Sequence, residues 1–518
     1  MILKSSISVT AIAVLSILIS FINQLMLADF FGASASVDAY LIAISIPTLL
    51  SGTIVAALSY SIVPFLVHYN FDQKKYYQFC GAMLIGIVIL ACFVSTIGFF
   101  TSRYFLLLLG SMLPLSVFDE AVFMSHIAWV TAGFAIVSAY LAAMHNSAKH
   151  FIRPAIAGIF PYIGMILFIV FWGKHLSVVS IVWGMFVGTI LSIVFQLTDV
   201  YKHIEISRNS FVYVKDVVRC FSIMPMVIIS MACFTIYQSI DAYWAPRLGS
   251  GNLAYLGYCQ RILIALGQFI IAGPSIVIMP RLSEAHRDGR HIEFFNDMSR
   301  VVRTVLVFAS PLAVAVSVLA VPIVEVLFQR GAFDRVTTVG VATLIPFMML
   351  GMVPMLCVVM MFRAFFSKKN IFIVTFLGFL MTVLYFTLSG ILSGILGVKG
   401  IGLAYAFSWW IIMFLSMYFL WRQNLDLLLC KENFNFLLQL LVINIIVGIV
   451  VFLLGHFTIS PIEEVGLIGL ILRLGILVCV ALIVFYFLSV RFFKIRDIKD
   501  IFVFIENNVF RVFFKRVN

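Results

Sequence analysis

The sequence predicts an all-α polytopic membrane protein of about 14 transmembrane helices, with two six-helix lobes around a central cavity and a C-terminal helix pair. Composition is the first observation: 63% of the 518 residues are hydrophobic and 11% are charged. Because a soluble protein needs a largely polar and charged surface, this composition places the chain in a bilayer. The other two observations are an internal repeat and the placement of lysine and arginine between the apolar runs.

Fourteen apolar runs are long enough to span a bilayer, which takes roughly 20 apolar residues in a helix. The first run follows a single lysine, Lys4, without a convincing cleavage site, so we expect an uncleaved span rather than a signal peptide. The predicted spans lie near residues 6–28, 38–67, 79–101, 121–145, 152–172, 176–198, 216–244, 254–279, 304–328, 337–362, 371–391, 400–420, 434–455 and 466–489. The longest loops between them are expected near 280–303 and 102–120.

Two segments, 216 to 217 residues apart, look like copies of one membrane element. QLMLADFFGASASVDAY leads to SIVPFL, and QSIDAYWAPRLGSGNLAY leads to SIVIMPRL. Gly32 precedes Pro64 by 32 residues, and Gly249 precedes Pro280 by 31. The offset covers six spans, so the copies enter the membrane in the same direction as parallel repeats. Two similar halves predict a transporter in which a central cavity opens to alternate sides.

The repeat divides the chain into four regions. The N-lobe takes residues 1–205 (spans 1 to 6), the C-lobe takes 206–425 (spans 7 to 12), and spans 13 and 14 occupy 426–490. Residues 491–518 mix basic side chains with Phe and Ile at near-helical spacing. This pattern predicts an amphipathic cytoplasmic tail on anionic lipid.

Lysine and arginine placement predicts the orientation. With the N-terminus inside, 26 of the 34 basic residues fall on the cytoplasmic side and six fall outside. This bias follows the positive-inside rule and places both termini in the cytoplasm. The net charge of +12 is then a topology signal, and no nucleic-acid partner is expected.

Ionisable residues inside spans are candidates for the substrate site, because each costs about 2.5–3.5 kcal/mol on insertion scales. Arg261 lies in the eighth predicted span, where an inward guanidinium could bind a phosphate bidentately. A structural pair with Asp241 or snorkelling to the surface are the alternatives. Asp241 could also carry a proton or bind a cation. Asp38 begins the second span and is either a site residue or a helix cap.

Polar residues in spans complete the candidate site. Asn23 and Gln24 lie deep in the first span, as either cavity lining or an interhelical hydrogen-bonding pair. Gln238 lies beside Asp241 in the second copy of the repeat. Arg473 lies in the middle of span 14 and is a candidate for a groove.

Five segments resemble, in order and spacing, the lipid II flippases of the MurJ or MviN type. They are FFGASASVDAYLIAISIPTLL, IDAYWAPRLGSGNLAYLGYCQRIL, IVIMPRLSEA, VEVLFQRGAFD and FRAFFSKKN. The most specific is LFQRGAF, from Leu327 to Phe333. The resemblance implies a bacterial inner-membrane protein of the multidrug/oligosaccharidyl-lipid/polysaccharide exporter superfamily. It also implies a lipid-tail groove in the last two helices.

The resemblance carries three residues into the site: Arg261, Asp38 and, at the cytoplasmic end of span 10, Arg363. Several positions depart from the family pattern. Asn23 and Gln24 stand where an Arg-Asp pair is usual, and an earlier arginine position is Ile17. Two arginine positions in span 2 are Ser51 and Gly52, and an acidic position is Ile264.

The resemblance implies a flippase that moves an undecaprenyl-pyrophosphate-linked glycan from the inner to the outer leaflet by alternating access. The substrate would be lipid II or, given the missing first-lobe cations, another cell-envelope polysaccharide precursor. Polysaccharide biosynthesis enzymes are candidate partners. Membrane potential, Na⁺ or H⁺ are candidate driving forces, and no cofactor or metal site is expected.

Three alternative functions are compatible with the sequence. They are a small organic cation exporter of the same superfamily, a non-transporting scaffold, and a membrane glycosyltransferase. The glycosyltransferase would need an Asp-x-Asp metal motif or a large outer loop with acid and base groups, and the sequence shows neither. We therefore expect a protein without enzymatic activity.

Overall fold

The structure of this protein, a computed structural model, consists of long helices joined by short turns. The structure describes residues 2–69, 72–110, 113–148, 150–201, 204–205, 212–368, 370–422, 431–458 and 462–492. Its α-helices are α1 (Ile2–Phe31), α2 (Ala35–Tyr69), α3 (Gln73–Leu109), α4 (Leu115–Ser147), α5 (Ile152–Ala157), α6 (Phe160–Leu176), α7 (Val179–Val200), α8 (Val214–Thr235), α9 (Ile240–Trp244), α10 (Asn252–Arg287), α11 (His291–Val318), α12 (Ala320–Phe328), α13 (Arg335–Ser367), α14 (Ile371–Leu396), α15 (Val398–Trp421), α16 (Lys431–Thr458) and α17 (Ile462–Tyr486).

Within the described ranges, 14 helical segments are long and apolar enough to cross a bilayer, as the sequence predicts. Most of them correspond to one helix each, and α5 and α6 together form the fifth. The short helices α9 and α12 lie outside these segments. The all-α fold and the span count are therefore confirmed, whereas the central cavity between lobes stays a prediction.

Helix ends differ from the predicted span ends because polar residues continue a helix beyond its apolar run. The loop expected at 280–303 is almost entirely helical, since α10 continues to Arg287 and α11 begins at His291. Asp288, in the turn between them, accepts hydrogen bonds from Arg287 and Arg290, which hold the pKa of its carboxyl below the usual value. The loop expected at 102–120 shrinks likewise to the segment between α3 and α4.

Two predicted spans are divided. The ninth, expected at 304–328, ends at Val318, and α12 follows as a separate short helix. Pro322 explains the restart, because proline lacks an N–H and is tolerated in the first turn of a helix. The seventh, expected at 216–244, gives way after Thr235 to a 3-10 turn (Ile236–Ser239), α9 and a second 3-10 turn (Ala245–Leu248).

The chain forms two compact units. The first contains the chain up to Tyr258 together with Arg330–Asp334, and the second contains Cys259–Gln329 and the chain from Arg335. Their boundary lies within α10, whereas the predicted lobe boundary lies at 205/206; the four predicted regions stay predictions. The tail from residue 493 lies outside the described residues.

The first unit has a core between α2, α3, α4 and α8. Leu58, Phe79 and Tyr140 are fully buried there. The Tyr140 hydroxyl donates a 2.8 Å hydrogen bond to the carbonyl oxygen of Cys80, which satisfies the one polar atom that this ring brings into the core. Helices α6 and α7 pack closely beside this core.

In the second unit, α13 is the central helix and packs against α11, α12 and α15. Its buried face is rich in methionine, including Met348, Met352 and Met360, whose flexible side chains fill irregular space between helices. Helix α16 packs on α11, and α17 contacts both α12 and α16. The last two spans thus share a core containing Ile443, Val447 and Leu477.

Candidate functional site

The Asp38 carboxylate is buried, with 1% of the residue exposed, in the first turn of α2. One oxygen accepts a 2.5 Å hydrogen bond from the N–H of Gly251, and the other accepts one of 2.8 Å from the N–H of Ala254. These N–H groups lie at the start of α10, where a helix leaves its first donors unsatisfied and favours negative charge. Asp38 therefore caps α10 and joins the first copy of the repeat to the second.

The two copies of the repeat share a positive-φ glycine three residues before a long helix. Gly32 and Gly249 both have positive φ, at 59° and 127°, and α2 and α10 begin three residues after them. The Tyr258 hydroxyl in α10 donates a 2.6 Å hydrogen bond to the carbonyl oxygen of Gly32. The copies thus hold one another by a side chain from each.

The QRGAF segment contacts both copies of the repeat, at Asp29 and Tyr258. The N–H of Ala332 donates a 2.7 Å hydrogen bond to the carbonyl oxygen of Asp29, and the buried Phe333 ring meets Tyr258 edge-on at 5.2 Å between centroids. A β-carbon on Gly32 would collide with the carbonyl oxygen of Ala332. We call Asp29–Asp38, Gly249–Tyr258 and Arg330–Phe333 together the loop junction.

The loop junction gives a structural reason for the most specific motif of the sequence. Its contacts are backbone hydrogen bonds, a buried cap and close packing at glycine, all of which fix the beginnings of α2 and α10. Sequence reasoning did not single out Asp29 or Tyr258. Each makes its contact with a segment more than 200 residues away, so sequence alone carried no signal for these pairs.

Arg261 lies in the third turn of α10, inside a membrane-spanning segment, with an exposed side chain. Ile264 and Gln268 are exposed on the same face, at helical spacing from it. A guanidinium on an exposed face within a span can bind an anion bidentately, because its donors form a planar fork.

Asn23 faces the interior of the first unit, with 4% of the residue exposed. Its amide nitrogen lies 3.4 Å from the sulfur of Met165 in α6, and its amide oxygen has no hydrogen-bond partner among the described residues. This placement favours interhelical packing at Asn23. The neighbouring Gln24 is half-buried.

Asp241 is buried in α9, with 2% of the residue exposed, and belongs to the first unit, whereas Arg261 belongs to the second. A pair between them stays a prediction. Gln238 lies in the 3-10 turn that precedes α9, and its side chain is outside the described part of the chain.

Two further arginines belong to the second unit. Arg363, near the end of α13, is half-buried, and its Nε has no hydrogen-bond partner among the described groups. Just beyond it, the Lys368 ammonium lies 4.6 and 4.7 Å from the ring centroids of Phe294 and Phe295, and burial lowers its pKa. Arg473 is half-buried in α17.

The positions that depart from the family pattern have varied surroundings. Ile17 and Ile264 are exposed, as is Gly52. Ser51 is buried, and its hydroxyl donates to the carbonyl oxygen of Thr48 within the same helix.

The structure also brings together side chains that sequence reasoning did not connect. His145, His150 and Asp199 approach one another at the ends of α4 and α7. The sequence predicts no metal site. His145 and His150 lie only five residues apart, whereas Asp199 comes from a distant segment and meets them only in the folded chain.

The family model for lipid II flippase MurJ matches residues 27–467. A probable lipid II flippase MurJ of Buchnera aphidicola subsp. Acyrthosiphon pisum is 22% identical over 466 residues, which cover 88% of this chain and 90% of the relative. The lipid II flippase MurJ of Burkholderia cenocepacia is 24% identical over 380 residues, 71% of this chain and 74% of the relative.

Solved structures share the fold. A lipid II flippase MurJ in an inward closed conformation has a TM-score of 0.76 at 20% identity, covering 94% of this chain and 99% of that one. An inward-facing multidrug resistance MATE family transporter has a TM-score of 0.68 at 13% identity, covering 80% and 96%. At these identities the likeness establishes the fold. The family model covers most of the sequence, so this chain belongs to the lipid II flippase MurJ family.

Proposed function

We propose that this chain is a flippase that moves a polyprenyl-pyrophosphate-linked glycan from the inner to the outer leaflet of the bacterial cytoplasmic membrane. Membership of the lipid II flippase MurJ family supports the transport of a lipid-linked precursor. The physical need is clear, because a charged sugar headgroup cannot cross about 30 Å of hydrocarbon unaided. The proposal includes alternating access, with both termini in the cytoplasm.

The position of Arg261 is the main structural support for this proposal. Its guanidinium is exposed within a membrane-spanning segment. A charge retained there at a cost of about 2.5–3.5 kcal/mol indicates a functional partner. A pyrophosphate fits the planar donor fork of arginine, and every polyprenyl-pyrophosphate glycan presents it.

The absence of an arginine at position 23 in the first unit favours a substrate other than lipid II. Asn23 stands where an arginine is usual in the family, and it packs toward α6 with its amide nitrogen on Met165. With fewer cations, the site would bind the pyrophosphate less tightly and depend more on the glycan. We therefore propose another cell-envelope polysaccharide precursor as the substrate.

Replacement of the essential lipid II flippase by this gene tests the choice of glycan. We expect no growth after depletion of the native flippase, although the protein inserts at normal levels in the membrane fraction. Growth would show that lipid II is transported and would contradict the proposal of a different glycan.

The role of Arg261 can be measured without knowing the glycan. We expect Arg261→Gln to weaken binding of undecaprenyl pyrophosphate to the detergent-solubilised chain about 10- to 150-fold, because hydrogen bonds to a charged group contribute roughly 1.5–3 kcal/mol. Titration followed by native mass spectrometry gives the two affinities.

Arg281→Gln is the matched control, since Arg281 is exposed on the same helix beyond the membrane-spanning segment. Its affinity should equal that of the unmodified chain. Equal affinities for Arg261→Gln and the unmodified chain would remove Arg261 from the site.

A further inference from the structure

A three-residue cluster lies at the ends of α4 and α7 in the first unit. His145 is buried in the last turn of α4, His150 is exposed just after that helix, and Asp199 is half-exposed in the last turn of α7. One ligand atom from each residue lies within 4.8 Å of the other two.

The orientation of His145 is set by a hydrogen bond. Its Nε2 lies 3.3 Å from the carbonyl oxygen of Gln196, which can only accept. Nε2 therefore carries the proton, and in the neutral imidazole Nδ1 has a free lone pair. This is the arrangement found in metal-ligating histidines, whose second nitrogen commonly donates to a backbone carbonyl.

The spacing leaves room for an ion. Nδ1 of His145 and Nδ1 of His150 each lie 3.9 Å from Oδ2 of Asp199. This distance is too long for a hydrogen bond. Three ligand atoms within 4.8 Å of one another leave a point about 2.8 Å or less from all three, so small side-chain shifts bring them to the roughly 2.0–2.2 Å of zinc–nitrogen and zinc–oxygen bonds.

A cavity of about 170 Å³ adjoins the cluster and supplies the remaining coordination positions. His145, His150 and Asp199 all line it, together with the polar side chains of Gln73 and Tyr76. It can hold water, which commonly occupies a coordination position of zinc bound by three protein ligands.

Arg153 is the competing cation. Its Nε lies 3.6 Å from Oδ2 of Asp199, so an ordinary surface ion pair is the alternative explanation of the cluster. Arg153 also has other partners: it donates to the hydroxyl of Thr198 at 3.2 Å and lies 5.7 Å from the ring centroid of Phe195. It can therefore release the carboxylate without losing all its contacts.

We propose that His145, His150 and Asp199 form a binding site for a single divalent transition-metal ion, with Zn²⁺ the best match to two imidazoles and one carboxylate. The ion would join the end of α4, the segment before α5 and the end of α7. It would hold this end of the first unit together independently of transported substrate.

The test is a titration of the purified full chain, with any affinity tag removed, with Zn²⁺ against a chromophoric chelator. We expect one equivalent of Zn²⁺ to bind, and millimolar Mg²⁺ not to displace it. His150→Asn and Asp199→Asn should each weaken binding at least about tenfold, while Arg153→Gln should strengthen it. Both weakened positions are at least partly exposed, so the variants keep the fold.

His291→Asn is the matched control, because His291 is also exposed but lies at the start of α11. Its zinc affinity should be unchanged. Circular dichroism and gel filtration verify that each variant is folded. Failure of the unmodified chain to bind one equivalent, or equal affinity in folded His150→Asn and Asp199→Asn, overturns the proposal.

Discussion

Asp38→Ala is expected to destabilise the chain by roughly 3–5 kcal/mol. The substitution removes a buried carboxylate that accepts hydrogen bonds from the N–H groups of Gly251 and Ala254. A hydrogen bond to a charged group contributes about 1.5–3 kcal/mol, and a buried donor left without a partner costs about 1–3 kcal/mol. Thermal unfolding of the detergent-solubilised protein, followed by circular dichroism, measures the loss as a lower transition temperature.

Asp38→Asn refines this result, because the amide keeps one acceptor oxygen and loses the charge. An intermediate loss is expected. Asp119→Ala serves as the control, since Asp119 is exposed in α4. If Asp38→Asn kept full stability but lost binding of undecaprenyl pyrophosphate, the residue would belong to the substrate site instead of serving as a cap.

Gly32→Ala is expected to cost roughly 2–5 kcal/mol. Gly32 has φ of 59°, which costs other L-residues about 1–2 kcal/mol. A β-carbon there would also collide with the carbonyl oxygen of Ala332, and overpacking of this kind adds about 1–3 kcal/mol. The carbonyl belongs to the backbone of the loop junction, so it cannot move aside as a flexible side chain would. The same unfolding measurement checks this prediction.

Gly289 offers a matched control, because it also follows the end of a helix. It has φ of 69°, and no atom lies within 4 Å of the position that a β-carbon would take. Gly289→Ala should therefore show the conformational cost alone, about 1–2 kcal/mol. Equal losses for the two variants would mean that the close contact of Gly32 with Ala332 contributes nothing.

Much of the fold could be predicted from sequence, because bilayer thickness and hydropathy set the number of spans. Helix ends were harder, since hydropathy reports where lipid contact ends and not where backbone hydrogen bonding ends. Thus α10 extends to Arg287 beyond its apolar run, and Pro322 separates α12 from α11.

The candidate site was predictable to a smaller extent. Arg261 was identified because a charge within a span is costly, and its place in the substrate site stays a prediction. Sequence alone could not assign Asn23 a role, because polar residues in spans both line cavities and pack between helices. The Asn23 side chain points toward Met165 because of how α1 is rotated against α6. Since α1 is apolar on nearly all faces, its sequence pattern does not specify that rotation.

The sequence by itself determined the membrane environment, the number of spans, the repeat and the family motifs, since these depend on local composition and order. Only the tertiary structure decided what the motifs contact. Asp38 begins α2 but caps α10, and the QRGAF segment meets Asp29 from about 300 residues away. The tertiary structure likewise places His145 near Asp199. Such pairings depend on how distant helices pack, and no local pattern encodes that packing.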